Sequence, residues 1–191
     1  PWSPSSVITV DRSPNGGLAR VDLGSEKLEI LDSTALNARD IFLSNESIAY
    51  RINKSIRVWF KGKIIEFPAN VERLRYFAAE DEIFTFIWDA DDKSTRWRRI
   101  NSGLTILGEG LLHGSPRSHL IWDGDLILAL QTSTGLEICR WKNDQCTKWM
   151  QIEKGIVGSY ARFKELNGQW YLAYFDETLG ILKMATMTSE G

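Results

Sequence analysis

Apolar and polar residues alternate in short runs along most of this chain, which is the period-two pattern of half-buried β-strands. One stretch shows the pattern plainly, with strands predicted at residues 40–44, 47–52, 56–60 and 64–67 and short turns between them. Signals for helices are almost absent from the sequence. The alternation therefore predicts an all-β protein in which this stretch forms a four-stranded meander.

The four-stranded unit recurs along the chain. Comparable units are predicted from residue 72 to about 107, from 118 to about 153, and from 160 to 188. A turn follows the first strand of each unit, near Asn15, Asn45, Asp81, Asp123 and Asn167. These turns are 30, 36, 42 and 44 residues apart, a spacing typical of repeat proteins. Units of this length predict a β-propeller of five blades, each with three to four antiparallel strands. A β-sandwich is the alternative, in which the repeat would be a coincidence.

The two ends of the chain carry shorter units. The first has three predicted strands, at residues 7–10, 18–23 and 27–31, and the last also has three, ending at 181–186. Two partial sheets that complete or close the ring would remove exposed strand edges. We therefore expect a single propeller domain over residues 1–191. Because the sequence begins with Pro1, we expect it to be matured or excised from a longer chain.

Arginines stand at a repeated position in these units. Arg39, Arg75 and Arg117 each lie six residues before the turn residue of their unit, and Arg162 lies one residue past the matching place in the last unit. Equal offsets predict equivalent positions, so the guanidinium groups are expected to converge at the mouth of a central channel. Their planar forks match carboxylate or phosphate groups. A structural ring of ion pairs between blades is the alternative.

Four further residues are candidates for a role at this channel mouth. His119 lies two residues past Arg117, on the same strand face, and would make anion binding pH-sensitive unless it is structural. Trp122 is a candidate platform for stacking a sugar, with ordinary packing as the alternative. Asp40 and Glu72 flank the arginines and are the weak candidates for the two carboxyl groups of a glycosidase. No residue is predicted to be catalytic on this basis.

Tryptophans and cysteines bear on packing. Among eight tryptophans, Trp59, Trp97 and Trp141 fall on the predicted third strands of successive units, which indicates packing between sheets. Cys139 and Cys146 lie seven residues apart across a predicted hairpin. A disulfide and a pair of reduced thiols both remain open for them.

Composition excludes several classes of function. Lysine and arginine total 23 against 25 aspartate and glutamate residues, a net charge of −2, which argues against nucleic-acid binding. The sequence contains no apolar stretch of 18 residues, so no membrane span is expected. It also has no metal-ligand spacing, phosphate loop or dinucleotide fingerprint, and no metal or cofactor is predicted.

Residues 114–129 and 167–176 resemble blades of sialidase-like and related glycosidase-like propellers. In such blades a strand ends in an Asn-Gly or Asp-Gly turn, and the apolar strand after it often ends near an Ala-Tyr pair, as at Ala173-Tyr174. The match covers roughly residues 114 to 188. The Ser-x-Asp-x-Gly-x-x-Trp pattern of true sialidases is absent, so the resemblance implies a propeller and a carbohydrate ligand but transfers no catalytic residue.

These observations favour a non-catalytic binding module, lectin-like or receptor-binding. Its expected partner is an anionic carbohydrate or a protein receptor, and an extracellular or surface-associated location is favoured. A protein–protein interaction scaffold and a glycosidase-like enzyme are the two alternatives.

Overall fold

The computed structural model of the protein describes residues 6–44, 47–60, 62–68, 73–79, 82–89 and 94–187, with the backbone alone at residues 44, 68, 73–79 and 89. The elements of these residues are all β-strands, eighteen in number. In chain order they are β1 (Ser6–Asp11), β2 (Gly17–Asp22), β3 (Lys27–Asp32), β4 (Arg39–Ser44), β5 (Ser47–Ile52), β6 (Ser55–Phe60), β7 (Lys63–Pro68), β8 (Arg73–Ala79), β9 (Glu82–Asp89), β10 (Ser94–Asn101), β11 (Ile106–Leu112), β12 (Ser115–Trp122), β13 (Asp125–Thr132), β14 (Gly135–Lys142), β15 (Gln145–Lys154), β16 (Val157–Leu166), β17 (Gln169–Asp176) and β18 (Ile181–Met187).

The strands form small sheets of consecutive members. The described strands make five such sheets: β1–β3, β4–β7, β8–β11, β12–β15 and β16–β18. Every strand pair whose register is described is antiparallel. The predicted all-β class and the three-stranded first and last sheets are confirmed. The described strands are spread over five sheets rather than two, which is not the arrangement of a sandwich. The number of propeller blades stays a prediction.

The hairpin turns follow the expected chemistry. Asp123 and Gly124 have φ of 53° and 76°, and Asn167 and Gly168 have φ of 53° and 77°. Positive φ at both central residues is the geometry of a type I′ turn, which matches the twist of the flanking strands. The turns at Asn45 and Asp81 lie outside the described residues.

The boundary between the second and third predicted units is wrong. The sequence pattern ends the second unit near residue 107 and begins the third at residue 118, whereas β11 continues to Leu112 and β12 begins at Ser115. Gly108 and Gly110 lie in β11 beneath an indole ring. A Cβ at Gly110 would lie 3.0 Å from Nε1 of Trp97, and one at Gly108 would lie 3.3 Å from the same ring. These glycines therefore make room for a tryptophan on the strand.

The chain divides into two compact units. Unit 1 comprises Pro1–Asp89 with Arg99–Leu107, and unit 2 comprises Ala90–Arg98 with Gly108–Gly191. In unit 1, strand β5 is buried on both faces. Its residues Ile48 and Tyr50 face a cluster that includes Leu18 of β2, while Ala49 faces a second cluster with Ile83 of β9. Because successive side chains point to opposite faces of a strand, sheet β4–β7 is packed on both sides within unit 1.

The core of unit 2 lies between sheets β12–β15 and β16–β18. It joins Leu120, Ile127 and Ile138 of the first sheet to Leu172 and Tyr174 of the second. Face-to-face packing of two small sheets buries large apolar side chains from both, and this packing holds unit 2 together.

Tryptophans and one disulfide reinforce unit 2. Trp97 meets Trp141 edge to face with ring centroids 4.9 Å apart, which supports the predicted packing role of third-strand tryptophans. Cys139 and Cys146 form a disulfide across the β14–β15 hairpin, with Cα atoms 5.5 Å apart. The open question of bridged or reduced cysteines is thus resolved in favour of the bridge.

Candidate functional site

The four arginines occupy different structural positions, although three of them have equal offsets from the turns and Arg162 is one residue out of step. In β4, Arg39 pairs with Arg51 before a β-bulge, whereas Arg117 is the extra residue of the bulge in β12. Arg162 follows the bulge in β16, and Arg75 pairs with Phe86 in β8. In β4 the first paired residue after the bulge is Phe42, two residues before the strand ends. In β16 it is Arg162, four residues before the strand ends. Hairpin length therefore differs between sheets, and counting from the turn does not give equivalent positions.

Two of these arginines come together in unit 2. The guanidinium group of Arg162 donates from Nη1 to the backbone oxygens of Arg117, at 2.8 Å, and Ala161, at 2.7 Å. Among the residues that the structure describes, these carbonyls are the hydrogen-bond partners of Arg162, and no carboxylate pairs with it. The side chain is exposed, so a full positive charge faces solvent beside the start of β12.

A chain of polar side chains begins at Arg117 and crosses this end of unit 2. The Nη2 of Arg117 donates to Oε1 of Gln131, and Nε2 of Gln131 lies 3.4 Å from Oγ of Ser159. Ser159 in turn donates to the exposed carboxylate of Glu177. The members come from the starts of β12 and β16, the end of β13 and the loop after β17. One end of unit 2 therefore carries separated positive and negative groups joined by neutral ones.

An exposed tyrosine stands in the bulge next to these groups. Tyr160 lies between Ser159, which pairs with Phe175, and Arg162, which pairs with Ala173. Its φ is 59° and its side chain is 78% exposed. A bulky residue in the left-handed region costs of order 1–3 kcal/mol and is an outlier that points to function.

A carboxylate network fixes the loop that carries Glu177. Lys183 of β18 bridges Glu153, at 2.5 Å, and Asp176, at 2.7 Å, while the hydroxyl of Tyr174 donates to Glu153 at 2.9 Å. The hydrogen bond from Lys183 lowers the pKa values of Glu153 and Asp176, and these two carboxylates raise the pKa of Lys183. Burial and the bond to Glu153 raise the pKa of Tyr174 to about 12. Asp176 also accepts the backbone N–H of Leu179 at 3.0 Å, which orders the loop.

Unit 1 contains the same device. Asp32, at the end of β3, accepts the hydroxyl of Tyr50 at 2.5 Å and Nη1 of Arg57 at 2.9 Å. Tyr50 and Arg57 are cross-strand partners, as are Tyr174 and Lys183. In each case the last strand of one sheet supplies a carboxylate that a tyrosine and a cation of the next sheet bind. We call these two arrangements the carboxylate clasps. Because their charges are paired within the fold, the clasps connect sheets and do not offer a ligand site.

The remaining predicted residues have ordinary roles or lie elsewhere. Trp122 is half-buried and packs edge to face on Trp149, with 5.6 Å between the ring centroids. This contact is of the kind expected for ordinary packing, the alternative given for Trp122. Asp40 accepts Nε of Arg51 at 2.8 Å in unit 1. Glu72 lies outside the described residues, as does the side chain of Arg75. The catalytic suggestion for Asp40 and Glu72 stays a prediction.

His119 is expected to remain neutral at physiological pH. Burial lowers the pKa of this imidazole to about 4, from an ordinary value of 6.5. The unfolded chain therefore binds this proton more readily than the folded chain. The contribution of His119 to stability should be constant above pH 6.5 and should fall as the pH decreases from 6.5 towards 4. NMR titration of the imidazole signals, assigned with a His113→Gln variant, measures the pKa directly. Titration of His119 near pH 6.5 would restore it as a sensor of neutral pH.

The described part of the chain contains neither a cluster of metal-ligating side chains nor a helix able to span a membrane. Residues 6–44, 47–60, 62–68, 82–89 and 94–187 bring together no three metal-ligating side chains suited to a metal ion. The same described residues contain no helix long and apolar enough to cross a bilayer.

Sequence reasoning missed Gln131, Ser159 and Tyr160. The available signal was the pair Gly155 and Gly158, which both adopt positive φ; Gly158 lies between Val157 and Ser159, where the register of β16 first shifts. Nothing local in the sequence indicates that Gln131 meets Ser159, because the two residues lie 28 positions apart.

Comparison with known proteins shows likeness in fold. No protein-family model matches the chain, and no curated protein matches it by sequence. The luciferin-regenerating enzyme matches with a TM-score of 0.57 at 12% identity, over 98% of this chain and 75% of that one. The β-propeller domain of the trilobed protease from Pyrococcus furiosus matches with a TM-score of 0.56 at 13% identity, over 97% and 64%.

A further match is apo AztD from Citrobacter koseri, with a TM-score of 0.53 at 12% identity over 97% of this chain. The chain spans 60% of AztD and 34% of an acylaminoacyl peptidase that it also matches. The sialidase-like type of repeat stays a prediction. The chain is an all-β protein of small antiparallel sheets whose structural neighbours are β-propellers.

Proposed function

We propose that this protein is a non-catalytic binding module that recognises an anionic ligand at the Arg162 end of unit 2. The observation that carries the proposal is the exposed guanidinium of Arg162, whose described partners are backbone carbonyls. A carboxylate or phosphate group offers a charge-assisted hydrogen bond that these carbonyls do not. Acidic sugars and phosphorylated small molecules are the ligand classes that the sequence favours.

The neighbouring groups support this location. The two bonds from Nη1 hold the guanidinium in place, and the residue as a whole is exposed. Preorganisation of this kind reduces the entropy lost when a ligand binds. Glu177 carries the opposite charge nearby, and one of its carboxylate oxygens accepts the hydroxyl of Ser159.

A protein partner is the second candidate. Strand β18 has exposed apolar side chains on one face, with Leu182 72% and Met184 67% exposed. Exposed apolar patches often mark protein–protein interaction sites. A protein receptor would cover this face, whereas a small anion would leave it untouched.

The proposal predicts that Arg162→Ala weakens anion binding. Calorimetry with sialic acid, galacturonate and inorganic phosphate should show at least one ligand that loses about ten- to hundredfold in affinity, since a hydrogen bond to a charged group contributes about 1.5–3 kcal/mol. Arg162→Lys should lose less, because it keeps the charge but not the fork.

The matched control is Arg96→Ala, which removes an exposed arginine elsewhere in unit 2. It should bind like the original protein. Equal affinity of Arg162→Ala and the original chain for all three anions would contradict the proposed site.

A further inference from the structure

The backbone around Tyr160 is held in its strained conformation from both sides. Gly158, with φ of 98°, lies against Leu136, where an added Cβ would approach to 3.0 Å. Val157 and Ala161 are buried, and the carbonyl of Ala161 accepts the guanidinium of Arg162 at 2.7 Å. The surroundings therefore enforce the strained backbone of Tyr160, although its side chain gains little burial. Because this strain does not stabilise the fold, we look for its reason in function.

Two other exposed apolar side chains stand on the loops that meet at the start of β16 and the end of β17. Ile156 and Leu179 are each 63% exposed, on the loops before β16 and after β17. The loops are tied together by the hydrogen bond from the N–H of Glu177 to the carbonyl of Ile156, at 2.9 Å. Leu179 is fixed by its backbone bond to Asp176. The apolar side chains therefore stand on ordered backbone beside the polar chain from Arg117 to Glu177.

We infer that the anion bound at Arg162 carries an aliphatic or aromatic group next to its carboxylate, and that Tyr160 determines this specificity. The inference rests on the proposed function and narrows it, from anions in general to carboxylates with an apolar body. A hydroxylated acidic sugar would set its hydroxyl groups against Ile156 and Leu179, which offer no side-chain hydrogen-bond partner. An apolar body would instead cover them and the ring of Tyr160.

The test compares carboxylates that differ in their apolar part. Binding of acetate, hexanoate, 3-phenylpropionate and galacturonate to the full chain is measured by calorimetry and by ¹H–¹⁵N chemical shifts. Each methylene that becomes buried adds about fourfold in affinity, so hexanoate and 3-phenylpropionate should bind at least tenfold more tightly than acetate. The neutral 3-phenylpropionamide should bind at least tenfold more weakly than its carboxylate.

Tyr160→Gly is the decisive variant, because glycine adopts a φ of 59° without strain. Its free energy of unfolding should equal or exceed that of the original chain, which separates lost binding from lost folding. Its affinity for 3-phenylpropionate should fall at least tenfold, towards that of acetate. Leu166→Ala, at an exposed apolar residue at the opposite end of β16 from these loops, should bind all four probes like the original chain.

The outcomes separate the two claims. If acetate, galacturonate and 3-phenylpropionate bind with equal affinity and Tyr160→Gly changes none of them, the inference is overturned and the anion site stands. If none of these carboxylates binds and inorganic phosphate does not bind in an Arg162-dependent way either, both claims fall. Binding of 3-phenylpropionate that depends on both Arg162 and Tyr160 supports both.

Discussion

Gly135→Ala should destabilise unit 2 by about 3 kcal/mol or more, because the new Cβ combines backbone strain with overpacking. Gly135 begins β14 with φ of 141°, and an added Cβ would overlap the carbonyl oxygen of Glu153 and lie 2.8 Å from Cα of Lys154. Both obstacles are backbone atoms that rotamer changes cannot move. Urea unfolding followed by tryptophan fluorescence measures the loss.

Gly168→Ala is the matched control in the same unit. Gly168 also has positive φ, at 77°, but nothing lies within 4 Å of an added Cβ. Its cost should be limited to backbone strain, about 1 kcal/mol. Equal losses at Gly135 and Gly168 would show that the approach of Glu153 to β14 is not tight.

Asp32→Ala should destabilise unit 1 by about 3–5 kcal/mol, the cost of removing one partner from a buried charged pair. The variant leaves the hydroxyl of the fully buried Tyr50 without its acceptor and removes one carboxylate from Arg57. Chemical denaturation of the variant and the original chain at neutral pH measures the difference.

Glu66→Ala tests the same arginine from its exposed side. Glu66 binds Nε of Arg57 at 2.8 Å, but its side chain is 47% exposed, so its loss should cost under about 1 kcal/mol.

Burial alone would raise the pKa of Asp32, but hydrogen bonds from Tyr50, Thr34 and Arg57 bring it below the ordinary value of 3.8. The stabilisation from Asp32 should therefore persist at pH 4 and above and disappear as the pH falls below that. A loss from Asp32→Ala no larger than that from Glu66→Ala would contradict the importance of the clasp.

The strands could be predicted from sequence because their signals are local. Alternation placed β5 at Ser47–Ile52, and the Asn-Gly and Asp-Gly pairs placed two type I′ turns. The predicted second unit ended near residue 107, short of the end of β11, because Gly108 and Gly110 weaken a strand pattern unless the ring of Trp97 above them is known. A glycine in the sequence shows only that a side chain is absent, and the sequence does not show which neighbouring group occupies the space.

The candidate site was predicted only in part, because its geometry depends on contacts between distant residues. Arg117 and Arg162 were identified by their offsets, yet the offsets gave the wrong equivalence because bulges and hairpin lengths are not visible in the sequence. The clasps were missed for the same reason. Tyr50 meets Asp32 across 18 residues, and Lys183 meets Glu153 across 30.

Asp176 belongs to two structures at once, since it pairs with Lys183 between strands and accepts the N–H of Leu179 in the loop beside Tyr160. Cohesion of unit 2 and the shape of the proposed binding surface therefore depend on the same side chain. Substitutions at Glu153 or Lys183, whose side chains lie in the clasp, would therefore change the ligand specificity of the proposed surface. The same coupling limits how freely that loop can be exchanged in design, because any replacement must supply a carboxylate for the lysine.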